Sequence, residues 1–192
     1  MPGGSAGPVH HAGERGIGAS GRAQRAGWFP SHRGGRFLAR YLAALIAFEV
    51  ALVLATPSAA YRAYLAWNAS LARALLALLG FDAWSSGAEL YVGQTGIAVL
   101  RSCDAAEPCG MFVIAVLLLP GTWKRKLAGA LAGVVALHAL NAVRLASLVL
   151  AQRSWPAAFT QLHLVVWPLA MIAVVVAGLV LWGRLGARRR PS

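Results

Sequence analysis

Cys103, Arg144 and His163 each fall at one end of a long apolar segment, and together they are residue types that perform covalent acyl chemistry. A thiolate attacks amides readily, and a neighbouring cation lowers the thiol pKa so that more of it is ionised. An imidazole within reach can carry the proton to the leaving amine. Arg144 would hold the thiolate or the developing oxyanion, an interaction that gains weight where the dielectric is low.

Each of the three also has a plainer role. Cys103 fits an inert small apolar residue, or a disulfide with Cys109, although positions six apart on a regular helix are poorly placed for a bridge. Arg144 fits a side chain that snorkels to lipid headgroups, and His163 a residue that caps a helix at the membrane interface. Asn141 and His138 share the Arg144 helix at three-residue spacing, so a polar stripe faces the bundle, with Asn141 suited to an interhelical hydrogen bond. Gly129 and Gly133 form a small-xxx-small packing pair. Glu49, a carboxylate inside the first apolar run, is expected to be protonated or paired with His138 or Arg144.

The elements that must position these residues are set by composition. Of the 192 residues, 58% are hydrophobic and 12% charged, and the apolar ones are gathered into runs long enough to span hydrocarbon. Inside a bilayer every backbone amide must find an internal partner, so the runs are expected to be transmembrane helices. The net charge of +12 comes from basic clusters flanking those runs, without the interleaved aromatics of a base-stacking surface, so nucleic acid is not an expected partner. The two cysteines and five histidines are not at zinc-ligand spacing, and there is no phosphate loop or cofactor motif.

Along the chain, residues 1–35 read as a disordered basic arm without the short apolar core of a cleavable signal peptide. Residues 36–187 form the membrane domain, and 188–192 a basic tail. Phe37 to Ala55 is the first crossing. Ala59 to Phe81 carries Arg62, Asn68 and Arg73, and is expected to lie on the membrane or pack partly into the bundle without crossing. The stretch from Asp82 to Val99, with aromatic and β-branched residues between glycines, predicts a small β-hairpin. Further crossings are expected around Met111 to Leu119, from just after Lys126 to about Ala151, and from Ala158 to Trp182. The fold class is therefore all-α: a polytopic transmembrane helical bundle of about four crossings with an amphipathic helix and a small hairpin.

Charge orients the bundle. With a cytoplasmic amino terminus, four crossings collect thirteen of the eighteen basic residues inside: six from Arg15 to Arg40, three in the Lys124 to Lys126 loop and four from Arg184 to Arg190. That asymmetry matches the positive-inside rule. Arg144 follows Lys126 by eighteen residues, about 27 Å along a helix, which puts it at the opposite interface beside the Cys103 and His163 ends.

These residues resemble the exosortase/archaeosortase family of membrane transpeptidases, most closely the small bacterial subfamily exosortase H, over roughly the last 150 residues. The matching features are a cysteine that follows a short strand and opens a helix (Val99 to Cys103, then Glu107) and a Pro-x-x-Trp turn with basic residues (Pro120, Trp123, Lys124 to Lys126). The Asn141-x-x-Arg144 pair and His163 at the opening of the last helix complete the set. In the family the cysteine is usually followed by Ser or Asn and then Gly. Here Asp104 and Ala105 follow it, and a Cys-Gly pair occurs at Cys109-Gly110. The helix length back from Pro120 and the acidic position at Glu107 favour Cys103, with Cys109 as the fallback nucleophile.

The resemblance implies a cysteine peptidase/transpeptidase of the bacterial inner membrane with its site on the periplasmic side and no cofactor. Cys103 would form an acyl-thioester with an exported protein bearing a carboxy-terminal motif, a transmembrane helix and a basic cluster, for transfer to an envelope acceptor. An arginine, with a pKa above about 12, donates protons poorly; charge stabilisation then falls to Arg144 and proton transfer to His163. Membrane lipid is the other expected partner. A transporter or channel subunit with Glu49, His138 and Arg144 in one polar path, or a membrane assembly subunit, would need no cysteine.

Overall fold

The computed structural model describes Gly3 and residues 32–187. The basic tail, and all of the arm except Gly3 and its last four residues, lie outside the described residues. Six α-helices and a small sheet make up the fold: α1 (His32–Ala55), α2 (Ala59–Leu78), β1 (Ala83–Ser86), β2 (Glu89–Val92), β3 (Thr95–Ala98), α3 (Ala106–Leu118), α4 (Trp123–Ser154), α5 (Pro156–Gln161) and α6 (Trp167–Ala187). A 3-10 turn, Arg101–Cys103, precedes α3, and a π-helical turn, Leu162–Val166, joins α5 to α6.

Among the described residues, three helical segments are long and apolar enough to cross a membrane: Gly34–Ala55, Trp123–Ser154 and Pro156–Leu185. Many of their large apolar side chains, among them Ile46, Leu54, Leu131, Leu164 and Leu169, are exposed. Such surface is costly in water and suited to lipid contact. The segment around α3 reaches only 13 residues, about 20 Å of helix, short of the roughly 30 Å of a hydrocarbon core.

Local chemistry explains several boundaries. Ser58 caps α2 by accepting the Tyr61 N–H at 3.0 Å. At the other end Phe81 N–H donates to Leu76 O and Gly80 N–H to Ala77 O, with Gly80 at φ +84. That is a Schellman stop, in which glycine adopts the left-handed backbone without strain. Tyr61, Asn68, Ala69, Ala72 and Leu76 form the buried face of α2. They lie at helical spacing and seat α2 on the second half of α4. The helix packs into the fold, as one of the two expected arrangements had it.

The expected hairpin is a three-stranded antiparallel meander in the order β1-β2-β3. Periodicity alone missed β1 because Ala83-Trp84-Ser85-Ser86 lacks a run of β-branched residues. Its signal is cross-strand: Trp84 pairs with Tyr91 in register, and their rings stack at 4.0 Å. The Tyr91 ring in turn covers Gly96, where a Cβ would run into it.

Two apolar cores result. One joins α2, the sheet, the second half of α4 and Cys103. The other joins α3, the first half of α4 and α6 around Phe112, Met171, Val175 and Trp182. Gly129 and Gly133 do serve packing, but by admitting the Trp182 and Phe112 rings respectively. At one end of the bundle Lys126 Nζ donates to Leu117 O at 2.6 Å, and Arg125 donates to Trp182 O. Basic residues therefore cluster where α3 and α6 end and α4 begins. Helix α4 starts at Trp123, so the basic triplet is its first turn and not a loop preceding it.

Candidate functional site

The site lies where the 3-10 turn meets α2, α4 and the π-turn. Ala98 ends β3 and Leu100 leads into the turn, whose N–H of Cys103 donates to Leu100 O at 2.8 Å. Cys103 is thus on a tight turn ahead of α3, not on the helix that carries Cys109. Asp104 then leads into α3: its Oδ1 accepts the N–H of Ala106, the helix's first residue, at 2.9 Å. Ala105, between them, sits at φ +63, a left-handed conformation that favours glycine.

The structure brings the three candidate residues together at the sulfur. Cys103 Sγ is 3.6 Å from His163 Nδ1 and 4.0 Å from an Arg144 guanidinium nitrogen. Arg144 also donates to Ser102 O at 2.9 Å and is 5% exposed, so it does not snorkel to the headgroups. Its Nε is buried without a partner among the described residues. His163 is not at the opening of the last helix. It lies in the π-turn of a helical stretch that begins at Pro156. In that wider turn His163 reaches the sulfur, and one turn later Trp167 Nε1 donates to Ser147 Oγ on α4 at 2.9 Å.

Asn141 forms the expected interhelical bond, and more. Its Nδ2 donates to Asn68 Oδ1 at 3.1 Å and to Cys103 O at 2.9 Å, so α4 grips the backbone of Cys103 and ties α2 to it. His138, the third member of the stripe, is edge-on to Trp67 and Tyr64 of α2. Glu49 pairs with neither His138 nor Arg144. Its partner is Arg101, at 2.6 Å, which also approaches Glu107 at 3.5 Å. Arg101 reaches Glu49 because the 3-10 turn lies beside the last turns of α1, a proximity without trace in sequence spacing. Glu49, His138 and Arg144 therefore do not line up as a single polar path.

Sequence reasoning missed Tyr61, Tyr64 and Asp104. Both tyrosine hydroxyls donate to Asp104, Tyr61 to its carboxylate and Tyr64 to its backbone carbonyl. Tyr61, Tyr64 and Asn68 recur at i, i+3 and i+7 on α2, a polar stripe that was the available signal. Burial pushes the Asp104 carboxyl above its ordinary range, while the bonds from Tyr61 and the Ala106 N–H pull it back.

Two clefts flank the Ser102-Cys103 segment. One of about 350 Å³ is lined by Gly96, Ala98, Cys103, Gln152, Phe159 and His163. The other, of about 680 Å³, is lined by Arg101, Asp104, Glu107 and Arg144. Cys109 opens instead on a separate, almost wholly apolar cavity beside Phe48 and Leu52. Both cysteines are free.

Arg144 pulls the Cys103 thiol down as expected, but desolvation by burial is larger and the net shift is upward. The resting thiol is therefore neutral at pH 7. In a Cys109→Ala background, iodoacetamide labelling of Cys103 should keep accelerating as pH rises beyond about 8.5, the value of a free thiol. Arg144→Gln should move the labelling midpoint further up; a midpoint below that of free cysteine would contradict this balance of burial over charge.

Comparison with family models, curated proteins and solved structures finds no match for this chain.

Proposed function

We propose that the chain is a membrane-embedded cysteine peptidase and transpeptidase of the exosortase type, similar to exosortase H, that cleaves the carboxy-terminal sorting signal of exported proteins. The observation that carries the proposal is the Cys103 sulfur held between the His163 imidazole and the Arg144 guanidinium. Such a trio has a direct chemical use. His163 Nδ1 takes the thiol proton as Cys103 Sγ attacks the scissile carbonyl carbon. Arg144 stabilises the oxyanion through its guanidinium, a terminal nitrogen of which lies 4.0 Å from the sulfur. As the C–N bond breaks, the imidazolium returns the proton to the leaving amine. The acyl-thioester is then released to the nucleophile of an envelope acceptor, with the thiol regenerated.

A neutral resting thiol suits this sequence. Proton transfer to His163 is then coupled to attack on bound substrate, and a free thiolate does not accumulate in the empty site.

In this proposal α3 is a fourth, short crossing, the amino terminus is cytoplasmic and the site faces the periplasm. Support comes from the contacts at the two ends of α3. Lys126 meets Leu117 at one end, and Asn141 and Arg144 meet Cys103 and Ser102 at the other. Those α4 positions are 15 to 18 residues apart, about 22 to 27 Å of helix, which approaches a bilayer's hydrocarbon thickness.

The chemistry is tested by co-expression with an exported protein from the same genome that bears the carboxy-terminal motif, helix and basic cluster. A hydroxylamine-labile adduct with the combined mass of enzyme and truncated substrate should accumulate when acceptor is limiting. Processing with no adduct through Cys103 would remove the acyl-thioester. For topology, Ser86→Cys in a chain lacking both native cysteines should react with a membrane-impermeant maleimide from the periplasmic side. Reaction from the cytoplasmic side alone would end the four-crossing arrangement.

A further inference from the structure

The smaller cleft has a wall that the proposed chemistry does not use. Strand β3 is an edge strand, since the sheet ends there. Its pairing with β2 runs Val92 with Thr95, Tyr91 with Gly96, Leu90 with Ile97 and Glu89 with Ala98. Val99 N–H donates to Ala88 O at 2.8 Å, which identifies Ala88 and Val99 as a hydrogen-bonded pair. Hydrogen-bonded and non-bonded pairs alternate along an antiparallel ladder. Thr95, Ile97 and Val99 therefore direct their amides and carbonyls to β2, while Gly96 and Ala98 direct theirs to the free edge. Those same two residues, with Leu100, Cys103 and His163, line the cleft. Leu148, Gln152 and Phe159 line it too, with the Phe159 ring stacked on that of His163.

We infer that the substrate enters this cleft as an extended strand, pairing its backbone with Gly96 and Ala98 and so presenting its scissile carbonyl to Cys103. The inference rests on the proposed function and specifies how that site takes its substrate: an exported protein's extended segment just ahead of its membrane helix. Three features support it. An edge of unpaired backbone groups is a ready template for another strand. The edge is continuous with the sulfur, since only Val99 to Ser102 separate Ala98 from Cys103. Glycine and alanine at the two outward-bonding positions allow another backbone to come close, and both residues are exposed. From Gly96 to Leu100 the edge runs about 13 Å at about 3.3 Å per residue, enough for roughly four residues of peptide. Affinity would come from main-chain bonds and selectivity from the side chains met by Gln152 and Phe159.

The test uses the full-length chain in detergent and reads alkylation of Cys103 by mass. The probes are acetyl-tetraalanine chloromethyl ketone, its versions N-methylated at single amides, the acetyl-alanine analogue and iodoacetamide. Two to three added hydrogen bonds predict that the tetrapeptide reagent reacts at least about tenfold faster than the single-residue one. N-methylation should remove that advantage at alternating positions only, the signature of a strand. Ala98→Pro, which deletes an edge N–H that β2 does not use, should remove it as well. Iodoacetamide, which has no strand to pair, should react within about twofold of the unaltered chain. If Ala98→Pro disturbs the turn, iodoacetamide labelling will change, and the N-methyl series on the unaltered chain then decides.

A tetrapeptide advantage insensitive to N-methylation, or no advantage at all, overturns strand pairing. So does a concentration-dependent dimer lost in Ala98→Pro, which would give the edge to a second copy. Failure of the proposed function has a different signature: tailed substrate processed normally by Cys103→Ala.

Discussion

If the proposed function holds, Cys103→Ala should abolish processing of a tailed substrate protein while the chain remains inserted and folded. Loss of a covalent nucleophile lowers turnover on the order of 10⁶-fold, beyond the range of an immunoblot, so no cleaved product should be visible at equal membrane abundance. The fold tolerates the change. Cys103 is 5% exposed in the core of α2, the sheet and α4, and trimming one sulfur removes apolar burial worth roughly 1 kcal/mol. Its backbone carbonyl, which Asn141 grips, is unaffected. Cys109→Ala should be nearly silent, because Cys109 faces an apolar cavity and not the imidazole. Full processing by Cys103→Ala with loss in Cys109→Ala would move the nucleophile. Full processing by both would remove the cysteine mechanism altogether and restore the transporter and assembly alternatives.

On the same proposal, Arg144→Lys should lose most activity despite keeping the positive charge. The guanidinium bonds Ser102 O and approaches the sulfur, two demands met by one planar fork. An ammonium is a single point of charge on a flexible stem and cannot meet them together. Removing a preorganised oxyanion donor costs about 10² to 10³ in turnover, and Arg144→Lys should fall in that range with substrate binding little changed. A kcat/KM loss carried wholly by KM would assign Arg144 to substrate binding in place of charge stabilisation. Because Arg144 also braces the turn, abundance and trypsin resistance of the variant should be measured alongside. Equal values with low turnover isolate the chemical role.

The two variants differ in what they remove. Cys103→Ala removes the group that bonds to substrate, and Arg144→Lys removes geometry around it. The alkylation profile separates them, since Arg144→Lys leaves a thiol that still reacts with iodoacetamide.

By itself the sequence determined which segments are apolar and where basic residues cluster, because a bilayer rewards runs of about 20 apolar residues and charge is counted by position alone. It also determined that Cys103, Arg144 and His163 belong to one end of the bundle, since helix rise converts residue number directly into depth. The Asn141 to Asn68 bond was half legible: Asn141 stood out, its partner did not.

What only the tertiary structure decided were the partners that packing selects. Arg101 took Glu49 because a 3-10 turn happens to end beside α1. Tyr61 and Tyr64 took Asp104 because α2 docks its aromatic face there. Strand β1 formed because Trp84 found Tyr91, and no local propensity announces a cross-strand partner. The π-turn at His163 likewise gave no local signal. The protonation of Cys103 is of the same kind. Charge nearby can be guessed from residue types, but burial is a property of everything packed around the sulfur, and here burial outweighs charge.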